Sequence, residues 1–154
     1  MNRPARALDD NKNALMPQSH QYLRIEIDGG SYLLPGSASF AIEQRDHLVV
    51  NDTDNSPVAA WRVTKSERWP AYCLDRLFKP AMRGQWQRVV FLEGAPYPIG
   101  LAVGEAQLMA RTEVIVEPFT PPGRSPPDGH LFDAAWINGA RATLVLNPAA
   151  LVGY

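Results

Sequence analysis

Arg88 to Glu105 reads RVVFLEGAPYPIGLAVGE. Val89-Val90-Phe91-Leu92 is a short apolar run of β-branched and aromatic residues, the composition of a buried strand. Glu93-Gly94-Ala95-Pro96 supplies a turn, and a second apolar run, Ile99-Gly100-Leu101-Ala102-Val103, stops at Gly104-Glu105. Two such runs joined by a turn containing Gly and Pro predict a β-hairpin. No residue on its strands offers nucleophilic or acid–base chemistry.

The same grammar recurs upstream. Leu23, Ile25 and Ile27 alternate with Arg24, Glu26 and Asp28, the period of a half-buried strand. Asp28-Gly29-Gly30 predicts a tight turn, because glycine accepts the positive φ that a two-residue hairpin loop requires. Tyr32-Leu33-Leu34 is the returning strand, stopped by Pro35-Gly36. Phe40–Ile42, Leu48–Val50 and Pro57–Val63 read as further strands, the last with Val58, Ala60 and Trp61 as the candidates for its inward face. Asn51–Ser56 is a polar turn. Ala71–Lys79 carries Tyr72, Leu74, Leu77 and Phe78 at helix-like spacing and ends at Pro80, which predicts a short helix.

Downstream, Thr112–Glu117 alternates again, with Val114 and Val116 on one face. Pro118–His130 holds five prolines and two glycines and is expected to be a long loop, extended in part like polyproline. Leu131–Ile137 and Ala142–Leu146 predict a last hairpin around Asn138-Gly139, the type I′ signature. Asn147-Pro148 has the pattern of an N-cap followed by proline at the first helical position, with a short helical turn over Ala149–Val152. About nine or ten short strands with few helices make the fold mostly β and point to barrel lobes. Residues 1–20 are polar and aperiodic, so a flexible tail is expected to precede a single domain over residues 21–154.

Bulk properties narrow the function classes. The chain has 154 residues, 45% of them hydrophobic, with a net charge of −1. The strongly basic footprint of a nucleic-acid binder is absent overall. Proline, at 14 residues against 11 glycines, favours short strands and turns over long helices. The single cysteine, Cys73, allows neither an internal disulfide nor a cysteine metal cluster. No apolar stretch has the length of a secretory signal core or a membrane span, so a cytoplasmic location without membrane insertion is expected.

Catalytic and cofactor motifs are missing. There is no phosphate-binding glycine motif and no G-x-S-x-G. His20, His47 and His130 are far apart and lack a second ligand at metal-binding spacing. Asp52, Asp54 and Asn55 lack the glycine and distal glutamate of a calcium loop, and read as a solvated turn. Cys73 has no histidine nearby in sequence and reads as a small packed residue. No enzyme, metal or cofactor is expected. One charge pattern exceeds background: Arg76, Lys79, Arg83 and Arg88 occur without an acid between them, with Phe78 and Trp86 interleaved. That patch suits an acidic partner or RNA, or is a solvated helix end.

The order of segments resembles the CheW-like coupling domain of bacterial chemotaxis. Gln21–Ile27, a turn, and Tyr32-Leu33-Leu34-Pro35 are similar to the family's first hairpin. Trp69-Pro70-Ala71-Tyr72-Cys73-Leu74 is similar to its Val-Pro-Ile-Phe-Asp-Leu segment, and Ile99–Glu105 to its Ile-Gly-Leu-Leu-Val-Asp-Glu. Ile137-Asn138-Gly139 through Leu144-Val145-Leu146-Asn147 is similar to its closing strand. Cys73, Gly104 and Asn147 stand where the family has aspartates. Its Asn-x-Arg-Gly segment falls on Val63-Thr64-Lys65-Ser66, which keeps a positive charge at Lys65.

The resemblance implies two SH3-like five-stranded β-barrel lobes sharing a core, with short helices. It implies a non-catalytic adaptor without cofactor, coupling the cytoplasmic tips of chemoreceptors to the regulatory domain of a CheA-type histidine kinase, in chemotaxis or in pilus-driven twitching motility. The expected protein-contact residues are Lys65, with Arg62 and Trp69 flanking it. The alternative is a stand-alone β-barrel module binding a small ligand or RNA through Trp86 and the Arg76–Arg88 patch.

Overall fold

Strand β1, Tyr22–Ile27, turns at Asp28-Gly29 into β2, Gly30–Pro35, with Ile27 opposite Gly30. Both loop residues have positive φ, 47° at Asp28 and 82° at Gly29, the pattern of the type I′ turn that suits twisted strands. This computed structural model describes residues 21–152 apart from 53–55, 82–84, 95–96 and 111–112. The tail expected over residues 1–20, part of the Glu93–Pro96 turn, Asp54, Asn55, Arg83 and Thr112 lie outside the described residues.

The chain continues through β3 (Ser39–Gln44), β4 (Val49–Val50), β5 (Val58–Val63), β6 (Arg68–Leu74), β7 (Pro80–Ala81), β8 (Arg88–Leu92) and β9 (Ile99–Val103). Then come β10 (Glu105–Leu108), β11 (Val116–Pro118), β12 (Phe132–Asn138), β13 (Arg141–Leu146) and a closing helix α1 (Pro148–Val152). One curled sheet has the order β10-β1-β2-β13-β12-β11; the other runs β3-β8-β9-β6-β5-β4, with β7 on β6. Among the described residues each lobe holds five strands of four residues or more; β4, β7 and β11 are two- or three-residue additions. The second lobe is thus a continuous insertion, residues 39–103, between the pieces of the first. The fold is mostly β, two SH3-like lobes around a shared core.

That shared core explains the opening stretch. Val90 and Leu92 of β8, with Leu101 and Val103 of β9, pack against Leu23, Ile25, Ile27, Leu34 and Leu146 of the other sheet. The intervening Val89, Phe91 and Ala102 point the other way, into the second lobe's own core with Trp69, Ala71 and Trp86. Leu33 and Val145 likewise turn from the shared core into the first lobe's interior. Strands covered on both faces have no polar side, so 89–92 reads as an unbroken apolar run. Each large side chain so buried contributes about 1.5–3 kcal/mol.

Three expectations need correction. The helix expected over Ala71–Lys79 is strand β6 followed by a tight turn into β7. Trp69, Ala71 and Cys73 face the second lobe's core while Tyr72 and Leu74 face away, a period of two. Beyond Leu74, the Asp75 carboxylate holds the turn by accepting from Leu77 N at 2.8 Å and Lys79 N at 3.1 Å. The turn drives Phe78, at φ 58°, into the shared core, edge-on to Tyr32 at 4.8 Å. Second, the last hairpin turns on Gly139-Ala140, one residue later than expected, with Asn138 opposite Arg141. Gly139 has φ 63° and Ala140 is not at positive φ, so a glycine-first loop replaces the type I′ turn. Third, the strand expected over Thr112–Glu117 is confined to Val116–Pro118, although Val114 is buried. Among the described residues no helix is long and apolar enough to cross a membrane.

Candidate functional site

The seam where the shared core reaches the surface opens into an apolar groove of about 210 Å³. Tyr72 and Leu74 of β6 and Ile99 and Leu101 of β9 form its floor, and Leu151 of α1 forms a wall from the first lobe. β6 and β9 run parallel, with Tyr72 beside Leu101, so the groove-facing side chains of both strands align. Burial pushes the Tyr72 hydroxyl above its ordinary pKa of 10.0, and the neighbouring Tyr97 adds to the shift. Tyr97 is exposed. The floor is apolar apart from the Tyr72 hydroxyl, so the groove combines a large apolar surface with one polar tip. The liners come from positions 72 to 151, so no local motif announces the groove.

The three residues expected at a protein contact divide. Arg62 on β5 lies directly across from Trp69 on β6. Its guanidinium stacks over the indole, 4.6 Å from the ring centre, and Nε donates to Glu43 Oε1 at 3.2 Å. Trp69 is 8% exposed, packs edge-on against Phe91 at 5.9 Å, and donates through Nε1 to Glu67 Oε2 at 3.0 Å. Lys65 stands apart at the exposed tip of the β5–β6 hairpin. That tip is closed by Thr64 N donating to Glu67 O at 2.9 Å and Glu67 N donating to Thr64 Oγ1 at 3.1 Å. On the outer face, Arg68 stacks on Trp61 at 4.5 Å.

The RNA alternative loses its exposed aromatic platform. Trp86 is 5% exposed, inside the second lobe's core. Arg45 covers it at 4.5 Å and donates to its carbonyl at 3.1 Å. Arg76 is turned to the first lobe, where Nε donates to Asp28 O at 3.3 Å and lies 3.8 Å from Asp28 Oδ2.

A second, polar cleft between the lobes has a volume of about 460 Å³ and is lined by Glu26, Asp28, Asp75 and Gln85, with Cys73 and Gly104. Burial pushes the Cys73 thiol above its ordinary pKa of 9.0, opposed in part by Arg45, which disfavours the nucleophilic thiolate. Among the described residues no group of three His, Cys, Asp or Glu side chains could hold a metal ion.

No family model matches the chain, and no curated protein matches it. Among solved structures, the scaffolding protein TtCheW from Thermoanaerobacter tengcongensis superposes with a TM-score of 0.56. The match covers 83% of this chain and 88% of that chain at 12% sequence identity. The fold is therefore CheW-like.

Proposed function

We propose that the chain is a non-catalytic adaptor of chemosensory signalling, coupling the cytoplasmic tips of chemoreceptors to the regulatory domain of a CheA-type histidine kinase. The carrying observation is the apolar groove at the lobe seam, floored by Tyr72, Leu74, Ile99 and Leu101 and walled by Leu151, in a fold shared with a scaffolding protein. A receptor tip is helical, and an amphipathic helix docks by laying its apolar face into such a groove without any cofactor. Lys65, exposed at the β5–β6 tip, is the proposed charged contact to the kinase, with Arg62 and Trp69 shaping the hairpin that presents it. A cytoplasmic location, in chemotaxis or twitching motility, belongs to the same reading. Cys73, Gly104 and Asn147 in place of the family's aspartates mark a divergent member.

Calorimetry tests this. The purified chain is titrated with the regulatory domain of the host's chemotaxis-type kinase, with and without a receptor-tip fragment. The expected result is a dissociation constant of about micromolar or tighter, about −8 kcal/mol, weakened by Lys65→Glu. Absence of binding to any such kinase domain leaves the fold intact and overturns the coupling function.

A further inference from the structure

Asn147 joins three parts of the molecule. Its Oδ1 accepts from Ala149 N at 3.2 Å, capping α1, and its carbonyl accepts from Ala150 N at 3.1 Å and Leu151 N at 3.3 Å. Its Nδ2 donates to the carbonyls of Asp128 at 3.1 Å and His130 at 3.0 Å, where the proline loop ends. Its backbone N–H donates to Leu131 O at 2.8 Å.

Two of these parts, the helix and the proline loop, depend on such ties. Helix α1 has five residues, too few to be stable by itself. It is held by this cap and by Leu151, which is 9% exposed in the shared core and forms a groove wall. The proline loop is exposed from residue 122 to residue 128. Its start is fixed by Phe119 N donating to Asp133 O at 3.0 Å and its end by the Asn147 amide. Prolines at 121, 122, 126 and 127 each lock one backbone angle, and Pro126-Pro127 lead directly into the Asp128 carbonyl that the Asn147 amide holds.

We infer that Asn147 is a positioning residue for the groove: its amide ties the proline loop to the cap of α1, so the loop sets how Leu151 walls the groove. This regulation rests on reading the groove as the partner site. An aspartate at 147 would cap α1 equally well but donates nothing, so Asn147→Asp separates the two roles.

The test is a double-mutant cycle on the full chain, read by amide hydrogen exchange. Loosening the loop with Pro122→Gly and Pro127→Gly is expected to speed exchange at Ala150 and Leu151 about tenfold, while β8 amides keep their rates. In the Asn147→Asp background, or Asn147→Ser if the aspartate variant does not fold, the loop substitutions should add nothing further. Additive effects, or α1 amides indifferent to the loop, overturn the inference. A receptor-tip fragment supplies the second readout: Asn147→Asp should weaken it about tenfold. Equal affinity for wild type and variant also overturns the inference. A tip that fails to bind even wild type strikes the functional reading alone, because the exchange cycle is independent of any partner.

Discussion

The guanidinium of Arg62 lies 4.6 Å from the centre of the Trp69 ring, directly across the β5–β6 ladder. Glu43 holds its far side at 3.2 Å, and Glu67 takes the indole N–H at 3.0 Å. A charged lid over a buried aromatic thus closes the second lobe's core against water. The pair helps to hold the lobe, and Lys65 stands exposed at the tip of the same hairpin.

Substitutions there should separate accordingly. Trp69→Ala removes a ring from the core and should cost about 3–5 kcal/mol. Arg62→Ala, at a half-buried site, should cost about 1 kcal/mol. Lys65→Glu should leave stability within about 0.5 kcal/mol while weakening the proposed kinase contact. Urea midpoints measured beside the calorimetry check this. A Lys65→Glu midpoint as low as that of Trp69→Ala would make Lys65 structural.

Gly100 carries the close approach of β9 to the second lobe's core. A Cβ there would lie 2.6 Å from Val89 Cγ1 and 2.8 Å from both Ala71 Cβ and Phe91 Cε1. Alanine normally improves a strand over glycine, yet Gly100→Ala should destabilise by about 1–3 kcal/mol through overpacking. Ala71→Gly in the same chain should recover part of the loss. Chemical denaturation decides the sign; a stabilised Gly100→Ala contradicts the packing described.

Asp75 holds the β6–β7 turn through two backbone N–H groups, and the turn places Phe78 at φ 58° in the shared core. Asp75→Ala leaves both donors without their acceptor and should cost about 1–2 kcal/mol. Asp75→Asn keeps an acceptor oxygen and should restore most of it. Thermal unfolding reads the difference at about 2–4 °C per kcal/mol. An unshifted Asp75→Ala transition would show that Phe78 packing alone sets the turn.

The first hairpin and the β8–β9 pair were legible because their signals are local. Asp28-Gly29 and the runs 89–92 and 99–103 each state a turn or a strand within a few residues. The segment after Trp69 misleads because Tyr72, Leu74, Leu77 and Phe78 fit a helical stripe, yet Trp69, Ala71 and Cys73 fit a strand equally well. Tertiary burial on both faces settles the choice for the strand. The groove escapes local reading, since Tyr72, Leu101 and Leu151 meet only in the folded chain. Asn147 was readable as a cap; its bonds to Asp128 and His130 cross 19 and 17 residues and leave no pattern.

Alkaline pH should lower the stability of the protein over two successive pH ranges. Burial raises Cys73 above 9.0, and raises Tyr22 and Tyr72 above 10.0, with Asp133 and Tyr97 adding to the respective tyrosine shifts. For each group the folded state holds the proton more tightly than the unfolded state. The stability is therefore fully present below the unfolded pKa and is lost as pH rises through the folded one. The urea midpoint should be level from about pH 7 to pH 8 and fall above about pH 9. Cys73→Ala should flatten the first part of that decline and leave the tyrosine part above about pH 10. The same burial makes the thiol slow toward a disulfide reagent such as dithionitrobenzoate at about pH 8, with fast reaction only after unfolding in urea. Rapid labelling of the native chain would show that Cys73 is open to solvent through the polar cleft, and the first stage of the alkaline decline should then be missing.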